Sequence, residues 1–211
     1  MSQPRETVIL LPRLYAVLDA ARFPSPMALF AVADELEAAG VTLMQYRNKS
    51  GNAGRMLYDA RELRKRLGSS VCLIMNDRAD LSLAADCEGV HVGQDDLSPA
   101  GVRRVIGPNR ILGVSTHSPD QLREADATSA DYIAIGPVFW TKSKENPDPV
   151  VGLDGVRRAR ALTKKPLVGI GGITRENARS VIEAGADSVA VISDLSPDPG
   201  KSAEEFFRIL G

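Results

Sequence analysis

The sequence predicts an α/β protein built as a single (β/α)8 TIM barrel, and three observations carry that prediction. Short apolar, β-rich runs alternate with longer helical patterns down the whole chain. Most of the runs are continuously apolar rather than alternating, as parallel strands buried on both faces require. The runs also tend to end in polar or glycine-rich clusters, at the place where such a barrel keeps its chemistry.

The candidate strands are residues 14–18, 43–47, 71–75, 89–92, 111–114, 132–135, 167–170 and 188–192. Helical patterns fall between them at 26–39, 52–67, 99–106, 119–127, 153–162 and 175–184, with a short, weakly marked one at 79–84. Within 52–67, Met56, Leu57, Ala60, Leu63, Arg64 and Leu67 recur at three-and-four spacing and define one apolar stripe. Gly40 and Gly185, each after an alanine, suit the left-handed cap that ends a helix. Ser98 before Pro99 and Ser118 before Pro119 read as N-caps followed by proline at the first helical position. A doubly wound open sheet would instead need a glycine-rich dinucleotide turn after the first strand, where this chain reads DAARFPSP. No linker or low-complexity segment interrupts the pattern, so one domain over residues 1–211 is expected, with 1–12 as an N-terminal extension.

Composition narrows the function classes. The 211 residues carry 26 Lys+Arg against 27 Asp+Glu, a net charge of -1. No nucleic-acid or membrane surface follows from that balance, so anion binding must come from placed residues. Two cysteines, Cys72 and Cys87, are too few for a disulfide framework or a paired-cysteine zinc site. Cys72 sits in an apolar run and reads as a buried thiol. The opening MSQPRETVILLPR has no signal-peptide core, and no stretch approaches membrane-spanning length, so a cytoplasmic enzyme is expected.

The strand-end clusters suggest the chemistry. In QYRNK, period-two alternation sends Gln45, Arg47 and Lys49 one way and Tyr46 and Asn48 the other. Two cations on one side of a strand end suit a polyanion. Asp77 follows strand 3, and Asp95 and Asp96 follow strand 4; converging carboxylates with room for water and phosphate oxygens describe a Mg2+ site. The competing reading pairs these acids with Arg47 or Arg78 as salt bridges, and the residues alone do not choose between Asp95 and Asp96. Gly171 and Gly172 after strand 7 and Ser193 after strand 8 occupy the usual phosphate corner of a barrel. His91, inside a strand, reads as a buried, hydrogen-bonded residue, whereas His117 in a loop is open to an acid–base role. Phe139 and Trp140 either cap the mouth or offer a flat wall to an aromatic substrate.

Taken in order, QYRNK, NDR, GVHVGQDDL, GVSTHS, GPVFWTKSK and GIGGI resemble the thiamine-phosphate synthase family over nearly the full chain. The resemblance implies a transferase. It would join 4-amino-5-hydroxymethyl-2-methylpyrimidine diphosphate to hydroxyethylthiazole phosphate and release pyrophosphate, with Mg2+ as cofactor and dissociative substitution as mechanism. It further implies that Gln45, Arg47, Lys49 and Asn76 hold the pyrimidine diphosphate, and that Asp77 and Asp96 bind Mg2+. Ser115 and Lys144 would contact the diphosphate or leaving pyrophosphate, and Arg47, Lys49, Ser115 and Lys144 form the implied catalytic set. Thr141, Ser143, Gly172, Ile192 and Ser193 would take the thiazole phosphate. Two positions depart from the family pattern: Ser143 replaces a threonine but keeps the hydroxyl, and Trp140 stands where a small residue or proline is common. The partners implied are two small phosphorylated heterocycles, with homo-oligomerisation left open. Two rival readings are a thiazole tautomerase on the same barrel, with His117 as proton shuttle, and a non-catalytic thiamine-phosphate binding protein.

Overall fold

The computed structural model describes residues 10–141 and 148–211. Eight parallel strands close into a barrel in sequence order: β1 (Leu14–Asp19), β2 (Leu43–Arg47), β3 (Cys72–Asn76), β4 (Gly89–Val92), β5 (Ile111–Thr116), β6 (Tyr132–Ile135), β7 (Leu167–Ile170) and β8 (Ser188–Val191). The connecting helices are α1 (Pro26–Ala38), α2 (Ala53–Arg66), α3 (Ala79–Ala84), α4 (Pro99–Ile106), α5 (Pro119–Asp126), α6 (Gly152–Leu162), α7 (Ala178–Glu183) and α8 (Pro199–Leu210). One-turn 3-10 segments follow β1 (Ala20–Arg22) and β8 (Ser193–Leu195).

The continuous apolar runs are explained by two cores. The larger lies between the sheet and the helices and includes Phe30, Leu36, Leu63, Leu112 and Phe206. The smaller fills the barrel interior with Tyr15, Val17, Ile74, Tyr132, Ala134, Val168 and Ala190. Every strand is therefore covered on both faces. Caps set the helix starts: Ser98 accepts from the Gly101 N–H and Ser118 from the Gln121 N–H, each ahead of proline. Gly40 and Gly185 hold φ of 96° and 114°, the left-handed conformation expected after α1 and α7.

Most expected boundaries hold to within a residue or two; of three differences, two have local causes. Strand β5 runs on to Thr116, whose hydroxyl donates to the Ala134 carbonyl of β6. Helix α7 starts at Ala178 rather than at 175. The Asn177 side chain accepts from the Thr174 N–H and donates to the Gly172 carbonyl, which spends the first turn on the loop. Helix α8 goes beyond the helical stretches named from sequence, although Asp198 before Pro199 carries the same capping signal as Ser98 before Pro99. In α2 the apolar stripe buries as expected but also takes in Asp59, which accepts from the Tyr46 hydroxyl and the Arg55 guanidinium.

Candidate active site

A cavity of about 560 Å³ opens at the carboxyl ends of the strands. All the described candidate residues line it: Gln45, Arg47 and Lys49 from the end of β2, Asn76 and Asp77 after β3, Asp96 after β4, Ser115 on β5, Thr141 after β6, Gly172 after β7, and Ile192 and Ser193 after β8. Ser143 and Lys144 lie outside the described residues.

The alternation read from QYRNK is present. Tyr46 and Asn48 turn away from the cavity, the Asn48 amide donating to the Tyr46 hydroxyl and that hydroxyl to Asp59. Arg47 is held by a residue that sequence reading did not single out. Asp19, 6% exposed at the end of β1, lies beside Arg47 in the strand register and accepts from its guanidinium at 2.5 Å. The charged fork is thus oriented before any ligand arrives. A lone aspartate after an apolar run gives no signal of that partner; only the closed β1–β2 pairing does.

Asp77 sits at the centre of the acidic side. Its φ of 60° is left-handed, a conformation that aspartate tolerates at a cost of about 1 kcal/mol. Its N–H donates to the His91 carbonyl, which holds the strained turn in place. The turned carboxylate meets the Lys49 ammonium at 2.5 Å and approaches Asp96. Burial pushes the Asp77 carboxyl above the usual carboxylate range, Asp96 adds to that rise, and Lys49 opposes it. Asp96 also accepts from the Gly93 N–H at 2.8 Å, whereas Asp95 is exposed. Arg78 turns to Asp80 at 2.5 Å and Arg47 to Asp19, so neither forms the expected competing ion pair with Asp77. Among the described residues no group of three or more potential metal ligands occurs, which leaves two carboxylates as the acidic donor set. Beside them, the buried Asn76 amide nitrogen has no hydrogen-bond partner among the described residues.

The other side of the mouth is built from backbone. Gly171 and Gly172 have φ of 97° and 64°, and a Cβ on Gly172 would lie 2.5 Å from the Trp140 carbonyl oxygen. Positive φ and close packing both require glycine there. Strand β8 leads into the 3-10 segment that begins at Ser193, the short extra helix that forms the phosphate corner in many barrels. Within that segment Asp194 also lines the cavity and is engaged by Arg175, which pairs with Glu205 as well.

The two histidines separate as read. His91 is buried and bonded through both nitrogens, to Tyr132 at 2.9 Å and Ser115 at 2.7 Å, and burial lowers its pKa to about 4. It also lines the cavity floor. His117 holds the Gly136 carbonyl through Nδ1 at 2.6 Å and faces Asp148 through Nε2 at 3.4 Å. Trp140 is 67% exposed, and neither it nor Phe139 lines the cavity, so the flat wall to an aromatic substrate is not built from them. Cys72 is partly buried and Cys87 fully so, and burial pushes both thiols up to about 12, out of the reactive range.

Fold and site together define a barrel enzyme whose mouth is equipped for phosphorylated small molecules. The model of the thiamine monophosphate synthase family matches residues 14–195. A thiamine-phosphate synthase of Koribacter versatilis is 62% identical over 203 residues, covering 95% of this chain and 96% of that protein. One from Chloroflexus aurantiacus is 44% identical, covering 86% and 83%. The solved thiamine phosphate pyrophosphorylase of Pyrococcus furiosus superposes with a TM-score of 0.84 at 32% identity, over 94% of this chain and 95% of that one. The chain belongs to the thiamine monophosphate synthase family and is a transferase of thiamine biosynthesis. These relatives carry the synthase name, so the tautomerase and binding-protein readings are not favoured.

Proposed function

We propose that the cavity couples the aminopyrimidine diphosphate to hydroxyethylthiazole phosphate, with the two phosphate groups at opposite sides of one mouth. The observation that carries this reading is the division of the lining. Cationic and carboxylate side chains gather after β2 to β4, while a glycine turn and a 3-10 start face them from β7 and β8. On the first side, Arg47 and Lys49 meet the diphosphate, and Asn76 offers it an amide donor that has no partner among the described residues. On the second, Gly172, Ile192 and Ser193, with Thr141 and Ser143, take the thiazole phosphate.

The paired carboxylates fit Mg2+. Two hard oxygen donors pressed together, one held above its ordinary pKa by burial, would gain from a divalent cation. Asp77 and Asp96 would hold the ion, which supplies charge neutralisation to the departing diphosphate. The protein's own contribution is leaving-group stabilisation and positioning. Arg47, Lys49, Ser115 and Lys144 donate to the diphosphate as its bond to the pyrimidine methylene breaks. The thiazole nitrogen, held by its own phosphate cradle, then meets the pyrimidine cation within the same enclosure. No nucleophile or general base is required of the protein. Two small phosphorylated heterocycles are the partners, and a cytoplasmic setting suits the two free cysteines.

The test is direct. Folded protein given both substrates and Mg2+ is expected to form thiamine phosphate and pyrophosphate in equal amounts. Failure to form either, with the fold verified by circular dichroism, contradicts the proposal.

A further inference from the structure

Five polar side chains on the barrel floor form one hydrogen-bonded chain from β2 to β5. The Gln45 amide nitrogen lies 2.7 Å from the Tyr15 hydroxyl, and that hydroxyl 3.0 Å from the hydroxyl of Tyr132. Tyr132 lies 2.9 Å from His91 Nδ1, and His91 Nε2 lies 2.7 Å from Ser115 Oγ. The Tyr132 and His91 rings stack at 5.4 Å, and Gly113 leaves them room, since a Cβ there would come within 2.3 Å of the hydroxyl. Tyr15, Tyr132, His91 and Gln45 are buried; Tyr15 and His91 border the cavity floor, and Gln45 and Ser115, the two ends of the chain, line it as well.

Each phenol and the neutral imidazole have one polar hydrogen, so the chain has two fully bonded arrangements that run in opposite directions. In one, Gln45 donates to Tyr15, Tyr15 to Tyr132, Tyr132 to His91 Nδ1, and His91 Nε2–H to Ser115. The Ser115 hydroxyl then donates into the cavity, and the Gln45 carbonyl oxygen accepts from it. In the other every proton is reversed, and so are both cavity-facing ends. A phosphate oxygen at neutral pH accepts and does not donate, so an anion at Ser115 selects the first arrangement. That is also the direction in which the Gln45 amide is oriented.

We propose that Tyr15 and Tyr132 are specificity-determining positioning residues, which through His91 make an anion at Ser115 dictate a hydrogen-donating group at Gln45. Resting on the diphosphate reading above, this assigns Gln45 Oε1 to the amino group of the heterocycle. It also disfavours an analogue with a carbonyl oxygen there, because accepting that group means reversing every bond of the chain or leaving one unmade.

The chain direction is readable at His91. The protein has two histidines, His91 and His117. His117 holds a carbonyl oxygen through Nδ1 and so carries a proton there, which gives an internal reference. Long-range 1H–15N spectra of 15N-histidine-labelled protein at neutral pH, with saturating inorganic pyrophosphate, are expected to show His91 protonated on Nε2 alone. Tyr132→Phe, which keeps the ring and removes the hydroxyl, cuts the chain at the imidazole; Tyr15→Phe cuts it one link earlier should the first variant not fold. In parallel, wild type is expected to prefer the 4-amino over the 4-oxo pyrimidine diphosphate by about 100-fold in kcat/KM, and either variant to lower that preference at least about tenfold. Its affinity for inorganic pyrophosphate should stay unchanged, a split that a general loss of structure would not produce. His91 protonated on Nδ1 in wild type with pyrophosphate bound, or an unchanged preference in both variants, overturns the inference even if the enzyme is active. Nε2 protonation in a protein that binds neither heterocycle supports the chain direction and overturns only the function proposed above.

Discussion

Asp77→Asn is expected to lower turnover by about 10³-fold and, at the same time, to raise the melting temperature of the ligand-free protein. The activity loss follows from removing half of the paired carboxylates that would hold Mg2+ against the diphosphate, a contribution of several kcal/mol. The stability gain follows from the sign of the pKa shift. Burial, with Asp96 beside it, raises the Asp77 carboxyl above its ordinary value, and Lys49 offsets that only in part. A carboxyl whose folded pKa is raised binds more protons in the native state, so its contribution to stability is full at low pH and lost as pH rises through the folded value. At neutral pH the charged form therefore costs stability, and an uncharged Asn avoids the cost. A gain of about 2–4 °C corresponds to roughly 1 kcal/mol in a chain of this size. The ion pair with the exposed Lys49, which the substitution removes, is worth little. In the metal-free wild type, stability should fall as pH rises through the folded Asp77 value, above the ordinary aspartate value of about 3.9, and Asp77→Asn should lose that dependence. Thermal scans across pH and a turnover assay check both halves; undiminished turnover in Asp77→Asn contradicts the site.

Arg47→Ala is expected to fail twice, for separable reasons. It removes a charge-assisted donor from the leaving diphosphate, worth about 10²–10³-fold in kcat/KM. It also leaves the Asp19 carboxylate, 6% exposed, without its guanidinium. Stranding one partner of a buried pair costs about 3 kcal/mol. Adding Asp19→Asn removes the stranded charge and keeps an acceptor for the Ala21 N–H. The double variant is therefore expected to regain most of the stability and none of the activity. Urea unfolding of both singles and the double, with kcat/KM on each, forms the cycle. Recovery of activity in the double would mean that Arg47 acts only through Asp19.

The barrel is readable from sequence because its strands are local signals: apolar runs of four to six residues that end in polar clusters, with Ser–Pro and Ala–Gly marking the helices. Site residues are readable for the same reason, since Gln45, Arg47 and Lys49 need only the period of one strand to be placed on one side. What stays hidden is non-local. Asp19 gains its role from a partner 28 residues away across β1–β2. Tyr15 and Tyr132, 117 residues apart, look like ordinary strand aromatics until the closed barrel brings their hydroxyls together. Helix α7 starts later than its pattern predicts because a side chain, Asn177, competes for the backbone groups that would have opened the helix.

The proposed function puts two phosphate sites in one mouth, of which the diphosphate site alone depends on a divalent cation. Calorimetric titration of each substrate separately, with and without Mg2+, tests it most directly. Mg2+ is expected to tighten pyrimidine diphosphate binding by about tenfold or more in wild type and to have no such effect in Asp77→Asn. Thiazole phosphate binding should be the same in all four conditions. Equal dependence of both ligands on Mg2+, or competition between them for a single site, would contradict the account.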